Sequence, residues 1–587
     1  RPGMTRDMAQ QELTTLTAQY ASAPSSGDSK GMSEYTAVRV DATAGVPAEV
    51  AGAIAGFLGA LLALAALVLM IASVNVASML LARAVVRRRE IAMRMALGAT
   101  RRRLVRQLLV ESLLLFGAGG IAGTALAFWG TRLLQHIDLP MEIPIELDMT
   151  PDARVLVVTL LVALVTGVIF GLAPALQGSR LDVQSTLRSD SAGAGRRRSR
   201  LRDGLIVGQI AMSLLLLSSA GLFIRALGRG RATDPGFSVD GVVTANIDVE
   251  SAGYDAARAR ILFRDIGERM AAVPGVESVG WTRMMPLSMN TSGYDISIPS
   301  VTPPGGRLGE SFTVNSNVVD EGYFSSLKIP LVRGRAFLRT DDAHAPRVAV
   351  VSETFAKRFF PTRDALGETF RMDSSLITIV GISKEIKFTK LDEEPAPFMY
   401  LPTEQEWRSI GIILLRTRGA PESVTGALIR EMSAIDPSLP APRITTLRQA
   451  TAVALLPQRV AAAVTGALGL VGLLLAAVGL YGVLSFSTAQ RTREIGVRLA
   501  LGASRGGIMR MVLREGLGLV GIGVGAGLVL AFIGTRALRP FLFGLNPLDP
   551  ITFIVIAATL IAVSAIATAL PARRASGVNP MLSMREE

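Results

Sequence analysis

The chain has 587 residues, half of them hydrophobic, with a mean hydropathy of +0.42. It has no cysteine and only two histidines, His136 and His344, far apart in sequence, so no disulfide framework, thiolate metal site or histidine-based catalytic set is signalled. The net charge of +13 is concentrated in short loops between apolar runs rather than spread over a soluble surface, which argues against a nucleic-acid partner.

Residues 1–48 read as the tail of a soluble domain: helical spacing over 4–20, a polar Ser/Gly/Pro loop over 21–33 and a short alternating strand over 35–40. Seven stretches without a charged residue then reach the roughly 20 residues that a helix needs to cross a bilayer. They are 51–82, 112–131, 155–179, 204–224, 460–490, 516–535 and 551–572. Asn75 is the main strongly polar residue within them, and it reads as an interhelical hydrogen bond. The loops between the spans alternate in charge. Residues 83–106 hold nine Arg and one acid, 135–152 five acids and no Lys or Arg, 180–203 seven Arg and three acids, and 491–514 six Arg and one Glu. The basic loops therefore lie in the cytoplasm, and 225–459 lies on the other side.

The outer segment 233–456 reads as mixed α/β. Expected strands are 241–249, 275–282, 312–319, 347–351, 376–383, 410–416 and 443–446, with helices at 255–273, 321–327, 353–359 and 422–435. The pattern implies one α/β unit split by an inserted subdomain at about 310–395. Lacking disulfides, this domain depends on its own core.

One sentence of the sequence is written twice. Residues 89–101 read REIAMRMALGATR and residues 493–505 read REIGVRLALGASR, nine of thirteen identical at a constant offset of 404. The register continues through Arg106/Arg510, Glu111/Glu515, Gly123/Gly527, Phe128/Phe532 and Gly130-Thr131-Arg132/Gly534-Thr535-Arg536. It returns at an offset of 397 with Pro174-Ala175/Pro571-Ala572 and Arg188/Arg585. So long a period marks a duplicated membrane module. Subtracting 404 from Gly204 leads to the expectation that about 200 residues, with an eighth span and most of a first outer domain, precede Arg1 in a complete duplication.

No G-x-x-x-x-G-K-[ST] loop occurs, no metal-ligand spacing is present, and no acid or histidine sits centrally in a span. The chain thus reads as non-enzymatic, with no catalytic, metal or cofactor-binding residue and no cofactor. Gly516, Gly518 and Gly521 match G-x-G-x-x-G but lie within a span. With Gly523 and Gly527 they read as helix-packing positions. Arg87–Arg89 and Arg101–Arg103 read as topology signals. The recurring Glu90, Arg94, Gly98 and Ala99, with Glu494, Arg498, Gly502 and Ala503, need another reason. They form a short amphipathic helix with Ile91 and Met95 on one side and a glycine C-cap, suited to docking a soluble partner.

The two REI…LGA segments, each followed by R-x-x-x-x-E and a Gly-rich span, together with PALQGSRLDVQSTLR (174–188) and PARRASGVNPMLSMR (571–585), resemble the FtsX/MacB-type permease superfamily of ABC transporters. Two units in one chain most resemble duplicated orphan permeases described in acidobacteria. The resemblance implies a multi-pass α-helical inner-membrane protein with two repeated permease units and a mixed α/β MacB-like periplasmic core of two subdomains. The domains would be a remnant of a first periplasmic domain (1–48), a three-span first unit (49–190), the first span of the second unit (204–232), the periplasmic core (233–456) and a three-span second unit (457–587). It further implies that loops 83–106 and 491–514 dock a separate cytoplasmic ABC ATPase, making Glu90, Arg94, Gly98, Ala99, Glu494, Arg498, Gly502 and Ala503 the docking residues. Partners would be that ATPase, the lipid bilayer and other envelope proteins. Members export macrolides or peptides, release lipoproteins or control cell-wall hydrolases, and the sequence does not choose among these. The alternative function is a periplasmic binding or sensor protein anchored by its spans without ATP-driven transport.

Overall fold

A computed structural model describes residues 48–86, 93–94, 97, 100–135, 152–179, 192–249, 253–288, 290–302, 306–407, 410–437 and 439–577, with Met8, Thr14 and Thr15. Nearly all of the 1–48 segment and most of the acidic 135–152 loop lie outside the described residues. The chain divides into two compact units, residues 1–66 with 145–148 and residues 67–144 with 149–587. In the first, the described structure is chiefly the start of helix α1 (Ala48–Val86), an Ala/Leu/Val run with no proline after Pro47 to interrupt it.

The second unit continues with α2 (Arg101–Gln135), α3 (Ala153–Ser179) and α4 (Ala192–Ala232). The outer domain follows: β1 (Val242–Asp248), α5 (Ala256–Ala271), β2 (Val276–Thr282), β3 (Gly293–Ser297), β4 (Phe312–Val319), α6 (Tyr323–Leu327), β5 (Leu331–Gly334), β6 (Val348–Ser352), α7 (Glu353–Phe359), β7 (Thr369–Met372), β8 (Ser375–Ser383), β9 (Phe398–Pro402), β10 (Ile410–Thr417), α8 (Thr425–Ile435), β11 (Arg443–Thr446) and α9 (Leu447–Ala452). The chain returns through α10 (Leu456–Gln490), α11 (Thr492–Ala500), α12 (Arg505–Gly534) and α13 (Pro550–Ser576).

Among the described residues, six helical stretches are long and apolar enough to cross a membrane: Ile54–Leu80, Arg102–Arg132, Asp203–Ala232, Leu447–Gln490, Arg505–Phe541 and Pro550–Ser576. The seventh expected span falls in α3, a 27-residue helix whose described apolar part, Arg154–Ile169, is shorter. Five of them carry apolar surface outward, as lipid solvation permits, while Asp203–Ala232 is mostly buried among its neighbours. Two bundles form, with α2 against α3, and α4 packed among α10, α12 and α13. Close approach in the second depends on glycine. A Cβ added at Gly523 would lie 2.7 Å from Ile210 Cβ, and one at Gly527 2.9 Å from Leu214 Cβ, so these two residues of α12 receive α4 directly.

Eleven strands among the described residues form one sheet in the order β11-β1-β10-β2-β4-β3-β7-β8-β6-β9, with β5 on β8 and β4 also pairing β9. The βαβ expected of β1, α5 and β2 takes a split form: β10 runs antiparallel between the two strands and pairs with both. Strands β3, β5, β7 and β9 were not foreseen. β9 (FMYLP) is buried throughout, so it has no alternation, and Pro395 and Pro397 disguise its start. Three apolar cores result. One packs α5 and α8 against β1 and β10 around Phe263, Trp281 and Leu428. A second packs α7 against β6 and β8 around Phe355 and Phe370. The third, around Tyr323, Phe324 and Tyr400, includes Ala226 of α4, Leu455, and Phe543 beyond α12. The outer domain and the outer ends of the membrane helices therefore share one core.

The join between the sheet's halves is narrow, since β2 meets β4 only at Thr282–Val319. Asp320 reinforces it, its carboxyl accepting hydrogen bonds from Trp281 N (2.8 Å) and Gly322 N (3.1 Å). Burial pushes this carboxyl up to about 8 against the lowering effect of those bonds. Buried Arg416 is a second tie. Its guanidinium donates to the carbonyls of Ser326 (2.6 Å), Asp240 (3.0 Å) and Ser238 (3.2 Å). Gly322 packs flat on β2, where a Cβ would sit 1.8 Å from the Val279 carbonyl oxygen. Gly322→Ala should therefore destabilise the outer domain by about 2 kcal/mol or more, lowering its melting temperature by roughly 4–8 °C. Thermal melts of the full chain in detergent, followed by Trp281 and Trp407 fluorescence, check this, and an unchanged midpoint refutes the packing described.

Candidate functional site

The repeated cytoplasmic segment folds, in its second copy, as α11. Glu494 lies in its first turn and Arg498 in its last, where each charge complements the helix dipole. Four residues apart, they also pair at 2.6 Å. Ile495 is 2% exposed and packs with Ile508 and Val512 of α12 and Ala572 and Ala575 of α13, with Leu499 flanking. The helix is thereby seated on the cytoplasmic ends of two spans.

Gly502 ends it. Its N–H bonds to the Leu499 carbonyl (3.1 Å) and that of Ala503 to the Arg498 carbonyl (2.9 Å), while its φ is +94°. This paired pattern is a Schellman cap, which needs a residue without a Cβ at its left-handed position. Ser504 then caps α12, its hydroxyl accepting from Gly507 N at 3.1 Å. Three residues thus end one helix, turn the chain and start the next. Nearby, Arg491 pairs with Glu515 (3.0 Å) and Arg574 donates to the Tyr481 hydroxyl (2.7 Å), tying together the ends of α10, α12 and α13.

The outward face of α11 carries Glu494, Val497, Arg498 and Leu501 at i, i+3, i+4 and i+7, and Leu501 is 83% exposed. In the first copy Arg94 is described, with exposed Met93 and with Leu97 at 89% exposure, while Glu90, Gly98 and Ala99 lie outside the described residues. Arg94 reaches Gln107 (3.4 Å) and Arg498 reaches Met511 Sδ (2.9 Å). Gln107 and Met511 are themselves repeat partners, so the two arginines make equivalent contacts.

Sequence reasoning found the charges and the cap but missed the apolar residues. The sequence places Ile91 and Met95 on one side of this helix, and their counterparts Ile495 and Leu499 turn inward. The exposed pairs are Met93/Val497 and Leu97/Leu501, legible because Val497 follows Glu494, and Leu501 follows Arg498, by three residues. Among the described residues no group of three His, Asp or Glu could hold a metal ion.

The FtsX-like permease C-terminal model matches residues 45–183 and again 466–580, and the MacB-like periplasmic core domain model matches 204–432. The chain belongs to the FtsX/MacB type of permease. It is 27% identical over 241 residues to the uncharacterized ABC transporter permease YknZ of Bacillus subtilis, covering 38% of this chain and 59% of that one. It is 25% identical over 285 residues to the macrolide export ATP-binding/permease protein MacB of Marinobacter nauticus, covering 44% and 41%. The crystal structure of the periplasmic region of MacB from Actinobacillus actinomycetemcomitans aligns at TM-score 0.26 and 16% identity, over 37% of this chain and 94% of that one. The chain thus spans well under two thirds of the length of these curated relatives. This FtsX/MacB-type permease is a multi-pass inner-membrane protein whose outer domain is periplasmic.

The cap makes its own prediction. Gly502→Val forces a β-branched residue into a left-handed turn, at a cost of about 1–3 kcal/mol. It should loosen α11 and speed tryptic cleavage at Arg498 and Arg505 in the folded protein. Unchanged cleavage rates would show that the turn tolerates a side chain.

Proposed function

We propose that the chain is the permease subunit of an ABC-type export or mechanotransmission system, in which a separate cytoplasmic ATPase drives movement of the spans and the spans move the periplasmic domain. It comprises two permease units (49–190 and 204–587, the latter enclosing the periplasmic core 233–456), preceded at 1–48 by the end of a first periplasmic domain. No phosphate-binding loop occurs in these 587 residues, which leaves the nucleotide chemistry to a domain or subunit outside them. The doubled layout resembles a duplicated orphan permease.

The observation that carries this reading is the outward face Glu494/Val497/Arg498/Leu501, whose sequence recurs at Glu90/Met93/Arg94/Leu97 with Met93, Arg94 and Leu97 exposed, and which in its second copy is fixed to the ends of α12 and α13. Apolar knobs flanked by paired charges are what a soluble partner docks against, the leucines supplying buried area and the charges orientation. Two such faces suit an ATPase with two equivalent sites. Movement imposed on α11 passes to α12 and α13, and the third core, with Ala226, Leu455 and Phe543, leads from the bundle into the periplasmic sheet. A binding or sensor protein anchored without ATP-driven transport is the other reading, and it gives no reason for two matched cytoplasmic faces.

Arg94→Glu with Arg498→Glu should abolish co-purification of the ATPase while the chain still inserts. Each single reversal should weaken it only in part, because two linked contacts act through effective concentration. Losing one charged partner at a buried interface costs on the order of 2–5 kcal/mol. Intact co-purification in the double variant would leave the repeated motif as a topology signal, whereas a parent chain that co-purifies no ATPase would favour the sensor reading.

A further inference from the structure

Helices α1 and α10 are repeat equivalents, and in the second compact unit they touch. Asn75 Nδ2 donates to the Leu475 carbonyl at 2.8 Å. Leu475 is the repeat partner of Ile71, and Gly479 is the repeat partner of Asn75 itself. The side chain of Asn75 lies against its own counterpart, since a Cβ added at Gly479 would fall 2.2 Å from Asn75 Oδ1. Ile71 in turn approaches Gly472, 3.9 Å from where its Cβ would be. The same faces of two duplicated helices therefore meet, as they would across a two-fold axis. The duplication departs from symmetry where it matters: Val68 and Asn75 of α1 are matched in the repeat by glycine in α10, at Gly472 and Gly479.

We infer that Asn75 and Gly479 are a knob and hole that dictate pairing of the first permease unit with the second inside one chain, and disfavour pairing of like units between chains. Two α1 helices in this geometry would set a side chain where only a glycine fits. Two α10 helices would leave the Leu475 carbonyl without Asn75. Gln209 of α4, almost wholly buried, completes the joint by donating Nε2 to the same carbonyl at 2.8 Å. In hydrocarbon no water replaces these donors, so a mispaired partner leaves carboxamides unmet. A single buried polar residue that selects partner and register is a known use of such groups. The inference does not depend on ATPase docking and stands or falls separately from it.

The absence of native cysteine allows a direct test. Ile71→Cys with Gly472→Cys, treated in membranes with a short bifunctional methanethiosulfonate, should join within one chain and run at monomer mass. A Cβ at Gly479 would also lie 2.7 and 2.8 Å from the Gln209 carboxamide. Gly479→Ala should therefore cut that product about tenfold. Asn75→Ala together with Gln209→Ala in the Gly479→Ala background should restore it severalfold, while Gln209→Ala alone in that background should not. Such rescue identifies direct contact, because a general defect of α10 would persist. Should Gly479→Ala prevent insertion, Asn75→Ala alone, which creates space rather than a clash, should divert part of the product to dimer mass. Dimer-mass product from the parent cysteine pair, indifference to Gly479→Ala, or rescue that fails in an inserted protein would each overturn the proposal.

Discussion

The second bundle depends on how closely α4 can approach its neighbours. Lipid gives apolar helices no hydrophobic reason to leave it, so association must come from dense contact and from satisfied polar groups. Both are present. Glycines of α12 at 523 and 527 admit α4 until backbone nearly meets backbone, Ala211 Cα being 3.0 Å from a Cβ built on Gly527. Gly469 and Gly472 of α10 receive Leu217, Ala220 and Leu216, and Ser213 donates across to the Gly472 carbonyl at 3.3 Å. A glycine in a soluble helix costs about 1 kcal/mol relative to alanine. Here each one opens dispersion contacts that a methyl group would block.

A helix gripped along its length carries displacement rather than absorbing it. α4 has 41 residues, about 60 Å at helical rise, and runs past the bundle into the periplasmic core. At its outer end Arg225 pairs with Asp549, the residue that caps α13, and Ala226 enters the core shared with Tyr323 and Tyr400. Gly230 is fitted beneath Leu455 and Phe543. Packed interiors transmit strain because they compress little. The linkage is thus continuous apolar packing, with ion pairs serving to register it.

Legibility from sequence followed the range of the interactions. The spans were visible because bilayer crossing imposes a length and a composition, and the α11 segment because it is repeated. The glycine at 502 was readable as a cap from position alone, since a Schellman turn is local. Strand β9 was hidden because burial on both faces erases alternation. The exposed Val497 and Leu501 were passed over because apolar residues in an amphipathic helix are expected to face inward, and only the seating of Ile495 on α12 shows which side is which. The hydrogen bond of Asn75 could be foreseen, but not that it ends beside its own repeat partner.

The duplication separates what a helix can do alone from what it can do only with a neighbour. Arg132 lies 4.3 Å over the Phe128 ring and Arg536 4.3 Å over the Phe532 ring, identical contacts made within a single helix turn. Arg94 and Arg498 reach equivalent residues thirteen positions on, in the second copy across the short turn from α11 to α12. Between helices far apart in sequence the copies diverge, as at Asn75 and Gly479, which lie against each other. Intrahelical pairs survive duplication unchanged because their geometry is fixed by the backbone. Positions such as 75 and 479 can differ because each is defined by what stands opposite it, and in that difference one chain can specify how its two halves meet.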